Sequence, residues 1–337
     1  ASSVARTLVF AASAPAKVNL HLGVGERQLD GYHDLVTVFQ AVNRREAVRL
    51  VVEPESPRTR TDSVVSGMST RWLFDGALPE DIDTPLNLAW RAVDAAVGSW
   101  RSQCDYTAGV THQALPKLRI EVDKSVFIAG GMAGGSADAA AALLAANCYI
   151  EHFFGEPLGV DYATQELARG LGADVPFAVR GGNALGFGRG DFLRDLLGDM
   201  PFWWVFVNPA TTLNTGSCFA KLDQLRAGNP ELVPAQDPAD VTDALILGDA
   251  HALAAAMHND LELPARLLRP QIGEVLDFGN AEALHAIVSG SGPTVAMLCE
   301  DEEHALAVRA RVRQVFPAYQ SFACSGPAPG ARMEEMP

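Results

Sequence analysis

Apolar and polar positions alternate in short runs over the first fifty residues, and turn signals separate the runs. Thr7–Ala11, Val18–Gly23, Asp34–Val42 and Ala47–Val52 read as strands, with Asp30-Gly31 a turn between the second and third. This pattern predicts an antiparallel sheet. Residues 53–70 are polar and read as loop, whereas Leu86–Trp100 carries apolar residues at helical spacing and should lie on the sheet. Leu118–Val122 alternates as a strand and leads into Ile128-Ala-Gly-Gly-Met-Ala-Gly-Gly-Ser-Ala-Asp138, behind which Ala139–Ala146 is a strong helix former. Tyr162–Leu171 reads as a helix, Ala173–Phe177 as the start of a new element, and Gly181–Gly190 as turns or a hairpin.

The pattern restarts at Phe202. Strand Phe202–Val207 precedes helices near Ser217–Leu225, Asp240–Leu247, Ala252–Met257 and Pro264–Leu276. Strands Ala286–Val288 and Val295–Leu298, helix Glu302–Val315 and strand Ser321–Cys324 follow. The class this predicts is α+β, in two domains of residues 1–195 and 196–337, without internal repeats.

Composition narrows the functions available. The 337 residues are 48% hydrophobic, ample for two cores, and the formal net charge is −15. That balance argues against a nucleic-acid or anionic-membrane surface, which needs clustered lysine and arginine. A polyphosphate ligand would have to be held by backbone dipoles, a few cations and a metal ion. The five cysteines (Cys104, Cys148, Cys218, Cys299 and Cys324) are scattered and never spaced as CxxC, which disfavours a disulfide framework or structural zinc. No apolar run is long enough to span a membrane and the N-terminus has no signal-peptide pattern, so a cytoplasmic location is expected.

The glycine-rich stretch 128–138 carries the strongest chemical signal. Small residues let several backbone N–H groups converge, and the helix behind adds the positive end of its dipole, a combination suited to phosphate. A tight turn before a packed helix is the plain alternative. The stretch is not a Walker A loop, because no Gly-Lys-Ser/Thr occurs in the chain. A dinucleotide fingerprint on Gly186-Phe-Gly-Arg-Gly190 has the wrong last spacing.

Two further clusters stand out. Ala14-Pro-Ala-Lys-Val-Asn-Leu20 places one of only four lysines in an apolar strand, and Asp30-Gly-Tyr-His-Asp34 sets an aromatic beside an imidazole after a turn. Together with the glycine stretch, Leu171-Gly-Ala-Asp-Val-Pro-Phe177 and Ser289-Gly-Ser-Gly-Pro-Thr294, in that order along the chain, they resemble the GHMP kinase superfamily. The resemblance implies a ribosomal protein S5 domain 2-like N-terminal domain and a ferredoxin-like C-terminal domain. It also implies ATP and Mg2+ as cofactors.

Carried onto these positions, the family pattern implies that Ala129, Gly130, Gly131, Met132, Ala133, Gly134, Gly135 and Ser136 wrap the ATP triphosphate. It implies that Asp174 is the catalytic aspartate and Lys17 its partner. The member it resembles most takes a small-molecule acceptor, a cytidine diphosphate conjugate of methylerythritol phosphorylated on its 2-hydroxyl. On that basis Tyr32 and Phe219 sandwich cytosine, His33 hydrogen-bonds its edge, and Asn19 and Thr215 contact the acceptor. A kinase of mevalonate, homoserine or a sugar is the competing reading, and a catalytically silent nucleotide-binding protein is a third. Local alternatives also stand: Ser136 and Asp174 as helix N-caps, Lys17 as a snorkelling strand residue, Tyr32 and Phe219 as core aromatics, and His33 as a surface histidine. Asp138 is favoured by the helix dipole and is also a candidate magnesium contact, the metal ligands being otherwise unassigned.

The chain departs from the family pattern at four loop positions. Phe127 stands for proline, Met132 for leucine, Ala133 for glycine and Ala137 for serine, which bears on loop stiffness. Asn87-Leu88 keeps an Asn-Leu pair used for adenine but lacks the polar residue that precedes it.

Overall fold

The computed structural model describes residues 7–106, 114–154 and 162–335. The first half of the chain contains β1 (Val9–Arg27), β2 (His33–Val52), β3 (Val65–Trp72), α1 (Leu88–Tyr106), β4 (Leu118–Lys124), α2 (Gly134–Phe154), α3 (Tyr162–Leu171), α4 (Val175–Arg180), β5 (Asn183–Gly188) and β6 (Phe192–Asp195). The second contains β7 (Phe202–Asn208), α5 (Thr215–Gly228), α6 (Ala239–Leu247), α7 (Ala250–Ala256), β8 (His258–Asn259), α8 (Glu262–Leu268), α9 (Pro270–Glu282), β9 (His285–Val288), β10 (Val295–Cys299), α10 (Glu302–Val315), β11 (Gln320–Gly326) and β12 (Arg332–Met333).

The four short strands expected at the N-terminus are two long ones, β1 and β2, paired antiparallel along their length. Pro15 has no N–H to give a ladder, and it sits where the register shifts, between Pro15 and Ala16. The strand continues through the shift instead of ending. β2 then serves two neighbours: Ala47–Val52 pairs with β4 and Leu35–Gln40 with β5. The polar segment expected as loop supplies β3, an edge strand parallel to β4 whose buried and exposed positions do not alternate. β8 and β12 return from the second half to pair with β1.

The second sheet is four-stranded and antiparallel, in the order β11-β7-β10-β9. The single helix expected over Pro264–Leu276 is two, because Pro270 cannot continue a helix and the backbone at Arg269 is extended. Helix starts elsewhere follow side-chain caps: Asn214 accepts from Ser217, Asp249 from Ala252 and Asp301 from His304. The class is α+β, as expected. One core packs α1 and the alanine-rich face of α2 on the first sheet. Another joins the halves, with Ala16, Val18, Leu20 and Val38 against Trp204, Phe206 and Phe322. No helix among the described residues is long and apolar enough to cross a membrane.

Candidate active site

A cleft of about 470 Å³ opens where β1, the glycine stretch and the Ser289–Thr294 turn meet. Lys17 and Asn19 face it from one side of β1, as residues two apart on a strand must, and both are buried. Lys17 Nζ donates to Oδ1 of Asn19. Asn19 Nδ2 donates to Thr37 Oγ1 at 2.9 Å, and that hydroxyl donates to the His21 carbonyl at 2.7 Å. The relay fixes three side chains in place. Burial lowers the Lys17 pKa from the ordinary lysine value, and the negative charge of Asp174 opposes that shift. A lysine this buried is not snorkelling.

Asp174 occupies the N-cap position of α4, yet its side chain makes no capping hydrogen bond. Its carboxylate lines the cleft that Lys17 also faces. Ser136 is the third residue of α2, so it is not that helix's N-cap, and it too lines the cleft.

The loop from 129 to 136 is shaped by its carbonyls. Gly130 O accepts from Thr294 N at 3.0 Å, Gly131 O from Ser289 Oγ at 3.0 Å, and Met132 O from Lys17 N at 3.1 Å. Tying successive carbonyls away from the cleft frees the other side of the backbone to present donors to an anion. Contact with the Ser289 turn is backbone on backbone: a Cβ on Gly131 would lie 2.1 Å from Ser289 O. Ala129 (φ 51°) and Ala133 (φ 57°) adopt left-handed conformations that suit glycine better, each at a cost of about 1–2 kcal/mol.

Within the loop, Met132 is the residue whose side chain the structure takes elsewhere. It is fully buried in the core between the halves, so only its backbone belongs to the loop. Phe127 replaces the stiffness of proline by packing, stacked on Phe74 at 5.0 Å and tilted against Phe322 at 5.2 Å.

Behind the loop lies a buried charge cluster that periodicity alone does not reveal. Lys124 Nζ is 2.6 Å from Asp138 Oδ2 and 3.3 Å from Glu46 Oε1, with all three groups inaccessible to solvent. One ammonium balances one carboxylate. Burial, with the nearby Asp138 charge, pushes Glu46 up to about 8, so Glu46 holds a proton at neutral pH. A Cβ on Gly134 would lie 3.0 Å from Glu46 Oε1, which accounts for glycine there. Asp138 is therefore buried against Lys124 and does not line the cleft, which corrects its candidacy as a magnesium contact. Among the described residues no group of three or more His, Cys, Asp or Glu could hold a metal alone. Asp174 and Ser136 remain as cleft donors, which fits a magnesium ion bound by one carboxylate plus substrate phosphates. Asn87 caps α1 instead of facing the cleft: Oδ1 accepts from Ala89 N at 2.9 Å and Nδ2 donates to Ile82 O at 3.0 Å.

A second chamber of about 510 Å³ adjoins the first and shares Leu35, Arg189, Thr215 and Phe219 with it. Tyr32 is half exposed at its rim, with the Arg189 guanidinium 3.8 Å from its ring centroid. Asp30 Oδ1 accepts from Tyr32 N at 2.9 Å and Gly31 takes φ 87°, so the Asp-Gly turn sets the ring's position. His33 packs on Phe219 with centroids 5.0 Å apart, and its Nε2 lies 2.8 Å from Asp223 Oδ1. Phe219 lines the chamber while packing against the core of the second half, and His33 is paired rather than free. Thr215 reaches the Ser289 turn through Ser291 Oγ at 3.0 Å. Sequence reasoning missed Thr37, Arg189 and Asp223, which carry no local signature beyond ordinary polar positions.

The family described as "GHMP kinases N terminal domain" matches residues 87–182, and "GHMP kinases C terminal" matches 241–318. A protein of Nocardia farcinica named 4-diphosphocytidyl-2-C-methyl-D-erythritol kinase is 41% identical, over 95% of this chain and 94% of that one. The chain belongs to the GHMP kinases. A crystal structure titled 4-(cytidine 5'-diphospho)-2C-methyl-D-erythritol kinase superposes with TM-score 0.68 at 29% identity, covering 94% of this chain and 98% of the other. Mevalonate kinase of L. major, with bound R-mevalonate, superposes equally well, TM-score 0.68, at 13% identity over 98% and 99% of the two chains. The fold alone therefore does not separate the acceptors.

Proposed function

We propose that this chain transfers the γ-phosphoryl group of ATP to the 2-hydroxyl of 4-diphosphocytidyl-2-C-methyl-D-erythritol, in the non-mevalonate route to isoprenoid precursors and in the cytoplasm. The observation that carries this reading is the pair of joined chambers: one holds Lys17, Asp174 and the anion loop, and the other is a space with room for a base, walled by Tyr32, His33 and Phe219. A mevalonate or homoserine kinase has no use for the second. The 41% identity to a relative carrying that name supports the same acceptor.

In this reading the loop amides and the start of α2 receive the triphosphate, and Arg189, at the junction of the chambers, faces the acceptor's diphosphate. Asn19 and Thr37 hold Lys17 so that its ammonium meets the acceptor hydroxyl and the incoming phosphoryl group. Asp174 accepts the hydroxyl proton as the oxygen bonds to the γ-phosphorus and the bond to the β–γ bridging oxygen breaks, releasing ADP. Asp174 and Ser136 would hold Mg2+, which neutralises charge on the phosphates when bound. Phosphorus NMR of the product tests the proposal. A new phosphomonoester resonance beside an intact diphosphate is expected, and a product altered at the diphosphate overturns it.

A further inference from the structure

We propose that Asp223 is a positioning residue that sets base specificity, by fixing the tautomer of His33 so that the second chamber selects a 4-aminopyrimidine over a 4-oxopyrimidine. This rests on the cytidyl-acceptor reading above. Asp223 lies four residues after Phe219 on α5, so one helix turn presents the aromatic wall and the carboxylate on the same face. Both line the chamber with His33.

The chemistry follows from the inventory of donors. Asp223 Oδ1 lies 2.8 Å from His33 Nε2, and an ionised carboxylate has no proton to give, so Nε2 carries the hydrogen. In the neutral ring Nδ1 is then a bare lone pair. Among the described residues Nε2 is the only ring nitrogen of His33 with a protein partner. The ring is also held: its side chain is 6% exposed and it rests on Phe219 at 38°. The chamber thus offers an incoming base an acceptor. Cytosine can meet it with its exocyclic amine, whereas uracil brings a carbonyl oxygen to the same place and sets two acceptors against each other. Leaving such a pair unsatisfied costs on the order of 10- to 100-fold in kcat/KM. Without the carboxylate the proton is free to move to Nδ1, and the ring presents a donor to either base.

The experiment compares wild type and Asp223→Ala with the cytidine and the uridine diphosphate conjugates of methylerythritol, beside 15N NMR of the histidine side chains, with His33→Gln assigning the His33 signals. The expected result is an Nε2-protonated His33 in wild type and a mixture of tautomers in D223A. D223A should lose at least 10-fold of the cytidine preference through KM for the acceptor, while kcat and KM for ATP stay within about 2-fold. A wild-type His33 protonated on Nδ1, or a D223A enzyme that keeps its preference, overturns the inference. Failure of wild type to phosphorylate the cytidine conjugate instead removes the functional reading, and the NMR tautomer separates that outcome from the first.

Discussion

Asp174 illustrates how a residue is spared for chemistry. It stands where an aspartate would ordinarily cap a helix, yet it makes no cap bond and faces the cleft. If its task is to orient the acceptor hydroxyl and take its proton, Asp174→Asn should lower kcat by about 100-fold or more while affinity for the metal-free nucleotide changes less than about 3-fold. Steady-state kinetics with equilibrium binding of a non-hydrolysable nucleotide measures both, and turnover surviving within a few-fold removes the assignment. Ala133 is the opposite case, a residue poorly suited to its backbone at φ 57°. Ala133→Gly should stabilise the fold by about 1 kcal/mol in denaturant unfolding, and destabilisation would contradict the strain argument. At this scale the sequence is readable where chemistry breaks a pattern, as a lysine does in an apolar strand or Tyr-His after Asp-Gly. Asp223 and Arg189 break none. A carboxylate on a polar helix face and an arginine in a turn look like solvated surface until the fold brings His33 and Tyr32 to them.

The glycine loop and the Ser289–Thr294 turn act as one element, since the turn's Ser289 hydroxyl and Thr294 N–H hold loop carbonyls that would otherwise be free to rotate into the cleft. Ser289→Ala removes one tie and should raise KM for ATP by roughly 2- to 10-fold with kcat nearly unchanged. An unchanged KM would mean the loop holds its shape alone. Asn259 supports the turn from below, donating to Val288 O and Gly290 O at 2.8 Å each. Helices were legible where caps and periodicity agree, as in α10, whose bounds match the sequence reading. Elements were misread where proline has two meanings. Pro15 lies in the gap left between Thr7–Ala11 and Val18–Gly23 yet marks only a register shift within β1, whereas Pro270 lies inside the helix expected over Pro264–Leu276 and starts a new one. β3 was missed because an edge strand need not alternate.

For the whole molecule, the net charge of −15 is compatible with the proposed phosphate-binding role only if backbone amides supply most of the attraction. The buried Lys124–Glu46–Asp138 cluster ties β2 and β4 to the start of α2 and makes stability depend on pH. Glu46 titrates near 4.5 when unfolded and is pushed up to about 8 when folded. The stabilising contribution of its protonated form is complete below the unfolded value and is lost as the pH rises through about 8. Stability against thermal unfolding should therefore fall between about pH 4.5 and pH 8 in wild type and level off above that, and Glu46→Gln, which stays neutral, should flatten the decline. Equal slopes in the two proteins would place the proton elsewhere.

The central claim is tested most directly by ADP release from Mg-ATP with three acceptors in parallel: the cytidyl conjugate, methylerythritol phosphate without the cytidine, and mevalonate. The two-chamber site predicts turnover with the cytidyl conjugate alone. Turnover of mevalonate, or equal turnover with and without the base, would contradict it.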